Sequence, residues 1–146
     1  MTAGDHKMNV RGFTLIELMI TVGIAAILLL VGVPSMSQRL AAERLDRSAT
    51  ELASAYRFAR SEAVKLTLPV VLQGTENGGW EVMADSQLLR QAAAPGGGVV
   101  IKPFKPIQIA PTGSSSHAEI ILANRLGDQR VLCVAPSGQL LQGSCS

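Results

Sequence analysis

From Phe13 to Val33 the chain carries 21 residues with a single charge among them, Glu17. At about 1.5 Å of rise per residue, a helix of that length reaches roughly 31 Å, the thickness of one hydrocarbon core. A stretch this long and this apolar fits a membrane span. Glu17 is the misfit. Near the centre of a lipid-facing helix a carboxylate costs on the order of 2.5–3.5 kcal/mol, and its place at the edge of the run points to a partner charge. Lys7 and Arg11 precede the run, and cations flanking a span stay on the cytoplasmic side, which puts the body of the chain outside. Met8 is a second candidate start, and it leaves Arg11 in place.

A secretory signal peptide has a shorter apolar core and a small-residue cleavage site after it. Val31-Gly32-Val33-Pro34-Ser35 is a poor site of that kind. A plain anchor explains the length but not the order Arg11-Gly12-Phe13-Thr14-Leu15-Ile16-Glu17-Leu18. That order resembles the class III signal of type IV pilins and type II secretion pseudopilins. The resemblance implies that a prepilin peptidase cuts after Gly12 and methylates the new amine of Phe13. It also implies that Glu17 pairs with the amine of a neighbouring subunit. The chain then divides into a cleaved leader (1–12), a transmembrane helical segment (13–33) and a periplasmic domain (34–146).

What remains after the leader and span is one small domain, enough for a single core. The whole sequence has a net charge of +2. The leader takes Lys7, Arg11 and Asp5 with it, so the mature chain is one unit less positive. Such a balance argues neither for nucleic acid nor for acidic partners. Two cysteines, Cys133 and Cys145, lie near the carboxyl end. In an oxidising periplasm they are expected to pair, with two buried free thiols as the alternative. No zinc spacing is present: there is no C-x-x-C, and His6 and His117 are far apart. No cofactor or metal is expected.

Pro34 bends or loosens a helix, but 35–66 reads helical again. Leu45, Ala49, Leu52, Tyr56, Ala59, Ala63 and Leu66 recur at spacings of four and three, an apolar stripe for packing. Arg39, Glu43, Arg47 and Glu51 recur every four residues on the opposite face with alternating sign. They read as a solvated ladder, or else as a subunit contact. Pro69 biases Leu68 towards extended backbone and closes the helix before it. Short strands follow at 69–72, 80–83, 99–101, 107–109, 119–122, 130–134 and 139–141, separated by glycine- and proline-rich turns. The expected class is α+β, a long amino-terminal helix packed on an antiparallel sheet.

Ala59-Arg60-Ser61-Glu62-Ala63-Val64-Lys65, running into Leu68-Pro69-Val70-Val71-Leu72, is similar to the helix-to-first-strand segment of the GspH/FimT group of minor pilins and pseudopilins. The closing Cys133–Cys145 loop resembles FimT- and FimU-like minor pilins more than the secretion pseudopilin. Residues 73–118 carry no such likeness. What the resemblance implies is a minor pilin or pseudopilin that primes or caps a type IV pilus or type II secretion filament. Its implied partners are the prepilin peptidase, other minor and major pilins or pseudopilins, and the inner membrane.

No catalytic constellation stands out, and no enzymatic activity is expected. Ser114-Ser115-Ser116-His117 places hydroxyls beside a histidine, but triad members come from separate elements. After Pro111-Thr112-Gly113 it reads as a solvated turn. Gly96-Gly97-Gly98 lacks the lysine and the following helix of a phosphate loop, and reads as a hairpin connection. Lys102, Phe104 and Lys105 form a small basic-aromatic cluster of the kind that can stack single strands. DNA uptake is the alternative function, because some FimT-like pilins capture DNA through a carboxyl-terminal Gly-Arg-x-Arg. Here the matching place reads Gly138-Gln139-Leu140-Leu141, without either arginine. Arg125 and Arg130, with Lys102 and Lys105, are the candidates for weak substitute contacts.

Overall fold

The computed structural model describes residues 12–145, the side chains of 31–35 excepted. The expected leader, with Lys7, Met8 and Arg11, lies outside the described residues except for Gly12. Two compact units make up the chain, Met1–Ser37 and Gln38–Ser146. Helix α1, Leu15–Leu66, supplies residues to both.

In the first unit, Thr14 caps α1. Its hydroxyl accepts a hydrogen bond from the Glu17 amide at 3.3 Å, and its carbonyl accepts one from Leu18 at 3.2 Å. Thr14 and Glu17 thus hold the N-cap and N3 places of a capping box. From there to Leu30 every described side chain is exposed. Among the described residues no helix is long and apolar enough to cross a membrane; the described side chains of the expected span reach only as far as Leu30. The helix expected to restart at Ser35 is the second part of α1, which is continuous in backbone through Pro34.

The second unit is built on the stripe. Leu45, Ala49, Leu52, Tyr56, Ala59 and Ala63 are buried, joined by Ala53 and Ala55. Leu66, expected to close the stripe, is 43% exposed instead, because α1 ends there. Thr67 then takes a φ of 55°, the left-handed exit usually given to glycine. Eight strands follow: β1 (Val70–Gly74), β2 (Trp80–Ala84), β3 (Gln87–Ala92), β4 (Val100–Ile101), β5 (Ile107–Ile109), β6 (Ala118–Ala123), β7 (Gln129–Val134) and β8 (Leu140–Gln142).

They form two antiparallel sheets rather than the one expected, in the orders β3-β2-β1-β5 and β4-β6-β7-β8. The proline segments explain the division. Pro95, Pro103 and Pro106 offer no amide to a ladder, so β4 and β5 stay short and the chain changes sheet between β3, β4 and β5. The glycines at 96–98 therefore carry a crossing between sheets, not a hairpin. Both sheets turn alternate residues inward: Val70 and Leu72, Trp80 and Val82, Ile107 and Ile109 from one, Ile120, Leu122, Leu132 and Val134 from the other. These close on Leu45, Leu52 and Tyr56 as one core.

β3 escaped the sequence reading. Gln87-Leu88-Leu89-Arg90-Gln91-Ala92 has no β-branched residue, and its turn, Asp85-Ser86, has no glycine although both residues take positive φ. Packing fixes it instead. The Arg90 guanidinium lies 5.6 Å from the Phe58 ring centre and 5.7 Å from that of Trp80, a cation–π arrangement joining β3, β2 and α1.

Candidate functional site

The amino-terminal segment presents an apolar surface with one carboxylate in it. Phe13, Leu15, Ile16, Leu18 and Met19 are exposed around Glu17. The carboxylate of Glu17 has no hydrogen bond and no ion pair among the described residues; only its amide is engaged, by Thr14. Gly12 has nothing near the place a side chain would occupy. Gly12, Phe13 and Glu17 are therefore all open to another molecule. The signal for this end is the Thr-x-x-Glu pattern of Thr14 and Glu17 in the sequence.

Further along α1, in the second unit, Arg39, Glu43, Arg47 and Glu51 are exposed. Among the described residues none of them makes an ion pair. The ladder is solvated but does not pair with itself.

The serine cluster is structural. Tyr56, fully buried on α1, donates its hydroxyl hydrogen to Ser115 Oγ at 3.0 Å, and Ser115 donates to the Ala135 carbonyl at 3.0 Å. One turn further along the helix, Arg60 Nε donates to the Gly113 carbonyl at 2.9 Å. Ser116 Oγ accepts from the Gln108 amide at 3.0 Å. These bonds tie the helix to the β5–β6 loop and the β7–β8 turn, so Ser115 is no free nucleophile and the loop is not simply solvated. Gly138 completes the arrangement. It takes a φ of 79°, and a side chain on it would run into the Gly113 carbonyl and Arg60. The glycine of the expected DNA motif is thus required by packing. Gln139 and Leu141, which follow that glycine, are exposed and uncharged.

Cys133 and Cys145 are joined, with Cα atoms 5.2 Å apart and a sequence separation of 12. The bridge fastens the carboxyl-terminal segment to β7, where the Gly143 amide also donates to the Val131 carbonyl at 2.9 Å. His117 lies close to both sulfurs. Metal binding needs thiolates, and these sulfurs are bound to each other, which leaves one imidazole as a donor.

The basic candidates divide. Arg130 Nε pairs with Asp46 Oδ1 on α1 at 2.6 Å, with both side chains still about half exposed. A cavity of about 570 Å3 opens beside this pair, walled also by Thr50, Gln129 and Gln142. Arg125 lies in the β6–β7 turn against Gly98. Lys102 and Lys105 are exposed, but Phe104 between them is half-buried and packs on the core and over Gly74. The expected stacking ring is a core-edge residue.

The sequence family described as type II transport protein GspH matches residues 48–138, and the prokaryotic N-terminal methylation motif matches residues 7–33. Among curated proteins no sequence matches closely enough to count as a relative. The fold is similar to that of the type IV minor pilin FimU of Pseudomonas aeruginosa, at 19% identity and a TM-score of 0.60, covering 70% of this chain and 90% of that one. It is also similar to the minor pseudopilin EpsH from the type 2 secretion system of Vibrio cholerae, at 11% identity and a TM-score of 0.57, covering 69% of this chain and 97% of that one.

Proposed function

Because this chain belongs to the GspH family of type II transport proteins, we propose that it is a minor pilin or pseudopilin, a subunit that helps to prime or cap a type IV pilus or type II secretion filament. The observation that carries this reading is the amino-terminal methylation motif over an exposed apolar segment whose one carboxylate, Glu17, has no partner among the described residues. In lipid the segment 13–33 spans the inner membrane, with the leader cytoplasmic and the sheets periplasmic. A prepilin peptidase cuts between Gly12 and Phe13. In the filament a neighbour's amine then meets Glu17, where low dielectric strengthens the pair well beyond its value in water. Burial of the apolar face against other pilins supplies the rest of the binding.

Mass spectrometry of the protein from its native membrane tests this directly. The expected amino terminus is methylated Phe13; an amino terminus beyond Pro34 would mean an ordinary signal peptide and end the pilin reading. DNA capture fares worse as a function, since Arg130 is spent on Asp46 and the paired arginines of the motif are missing.

A further inference from the structure

We infer that His117, Cys133 and Cys145 form a binding site for a zinc(II) ion whenever the two cysteines are reduced, so that ion and disulfide are alternative fastenings for the carboxyl-terminal segment. The site depends on the second sheet and the segment that follows β8, not on filament assembly, and goes beyond the proposed function.

Strand alternation brings the donors together. Ile120, Leu122, Leu132 and Val134 point into the core, so Glu119 and Cys133, directly opposite each other on β6 and β7, belong to the outer face of that sheet. His117 precedes β6 by one residue and shares the parity of Glu119, which sets it diagonally across from Cys133. Cys145 comes to the same place from the segment after β8, its Sγ 3.7 Å from the Ala118 carbonyl oxygen. One imidazole nitrogen and the two sulfurs lie within 4.8 Å of one another. Around a zinc ion, with bonds of about 2.0–2.3 Å, donor atoms stand roughly 3.5 Å apart. Small side-chain rotations therefore close the set. His117 is exposed and Cys145 half-buried, which leaves an ion and water a way in.

Two thiolates and one imidazole are a borderline-soft set that suits zinc, with water as the fourth ligand. The donors come from three separate places in the chain, which is why no zinc spacing shows in the sequence. Binding to the thiols releases two protons to solvent, one from each sulfur. A chain newly brought into an oxidising compartment carries both thiols before it carries the bridge, and at that stage the ion holds the carboxyl-terminal segment on β7. A thiol–disulfide oxidant then takes two electrons from the thiolates. Its own disulfide becomes two thiols with two protons from solvent, the Cys133–Cys145 bond forms, and the zinc leaves.

The test takes the full-length chain in detergent, reduces it with a phosphine and removes the reductant without air. Zinc(II) is titrated in competition with a chromophoric chelator, and cobalt(II) is followed by absorption. The reduced chain is expected to bind one zinc and to give thiolate-to-cobalt charge-transfer bands; the oxidised chain should do neither. His117→Gln should weaken zinc binding by roughly tenfold or more, since even the partners behind a ligand are worth that much, while the disulfide still forms in air. Cys145→Ser should weaken it further. The emission of Trp80, buried in the core, reports folding throughout. A reduced chain that unfolds and is restored by stoichiometric zinc supports the site equally. Zinc held as tightly by the oxidised chain or by His117→Gln would overturn the inference. So would no zinc on a reduced chain with native Trp80 emission, or a reduced, unfolded chain that zinc does not restore.

Discussion

Tyr56 and Ser115 lie 59 positions apart in sequence and 3.0 Å apart in space, the phenol of the helix donating to the hydroxyl of the β5–β6 loop. Ser115 passes the connection on to the Ala135 carbonyl. Helix, loop and carboxyl-terminal turn are thereby fixed to one another at a place where none of them shares a strand ladder. Tyr56→Phe removes one link and leaves Ser115 its acceptor, which should cost about 1 kcal/mol. Ser115→Ala strands the buried Tyr56 hydroxyl, while the Ala135 carbonyl keeps its bond from the Gly138 amide at 2.9 Å, and should cost about 2–3 kcal/mol. Urea denaturation followed by the fluorescence of Trp80, the one tryptophan, measures both. Equal costs would mean that the chain of bonds is not continuous.

Among the described glycines, Gly138 is the one least open to a side chain. Its positive φ alone makes alanine unfavourable by about 1 kcal/mol, and Gly127→Ala, with open space around it, should cost that much. Gly138→Ala also drives a methyl group into the Gly113 carbonyl and should cost a further 1–3 kcal/mol, roughly, as overpacking does. The difference between the two variants in the same denaturation measurement isolates the clash.

The Cys133–Cys145 bridge closes a short loop, worth about 3 kcal/mol in the chain-entropy model. Reduction should lower stability by up to that amount and expose 135–145 to protease before the rest of the domain. Thiol labelling of the denatured, unreduced protein should find no free thiol. Labelling of both cysteines would remove the bridge from the account.

Glu17→Ala should leave processing at Phe13 intact and reduce recovery in sheared filaments. The substitution makes the segment more apolar, so the monomer sits in lipid at least as well as before. The attraction to a neighbouring amine is what disappears. Wild-type recovery in the filament fraction would show that Glu17 is tolerated and not used.

The helix and most strands were legible because burial imposes a period. Leu45 to Ala63 repeat at helical spacing and Val70/Leu72 or Ile120/Leu122 at two. Periodicity is blind to what tertiary packing decides. β3 is held by Arg90 between two aromatic rings and shows no alternation of its own. The split into two sheets follows from where prolines interrupt pairing, which a list of strands does not reveal. At the candidate sites, Glu17 stood out as a lone charge and the cysteines as a pair. Ser115 did not, since its role depends on Tyr56 and Ala135, which meet it only in the fold.

Duplex DNA should bind this chain weakly or not at all in about 150 mM salt, because non-specific affinity comes from cations clustered to release counterions. Arg130 is held by Asp46, and Phe104 is engaged with the core, so two of the most suitable residues are already committed. Asp46→Ala frees Arg130 and should raise the dependence of log affinity on log salt by about one unit at most. Installing arginine at Gln139 and Leu141, both exposed, should raise affinity far more, since it adds two cations beside the Gly138 turn. Gel shifts across a salt series compare the three proteins. Micromolar binding by the native chain, lost on replacing Arg125 and Arg130, would promote DNA capture over filament assembly.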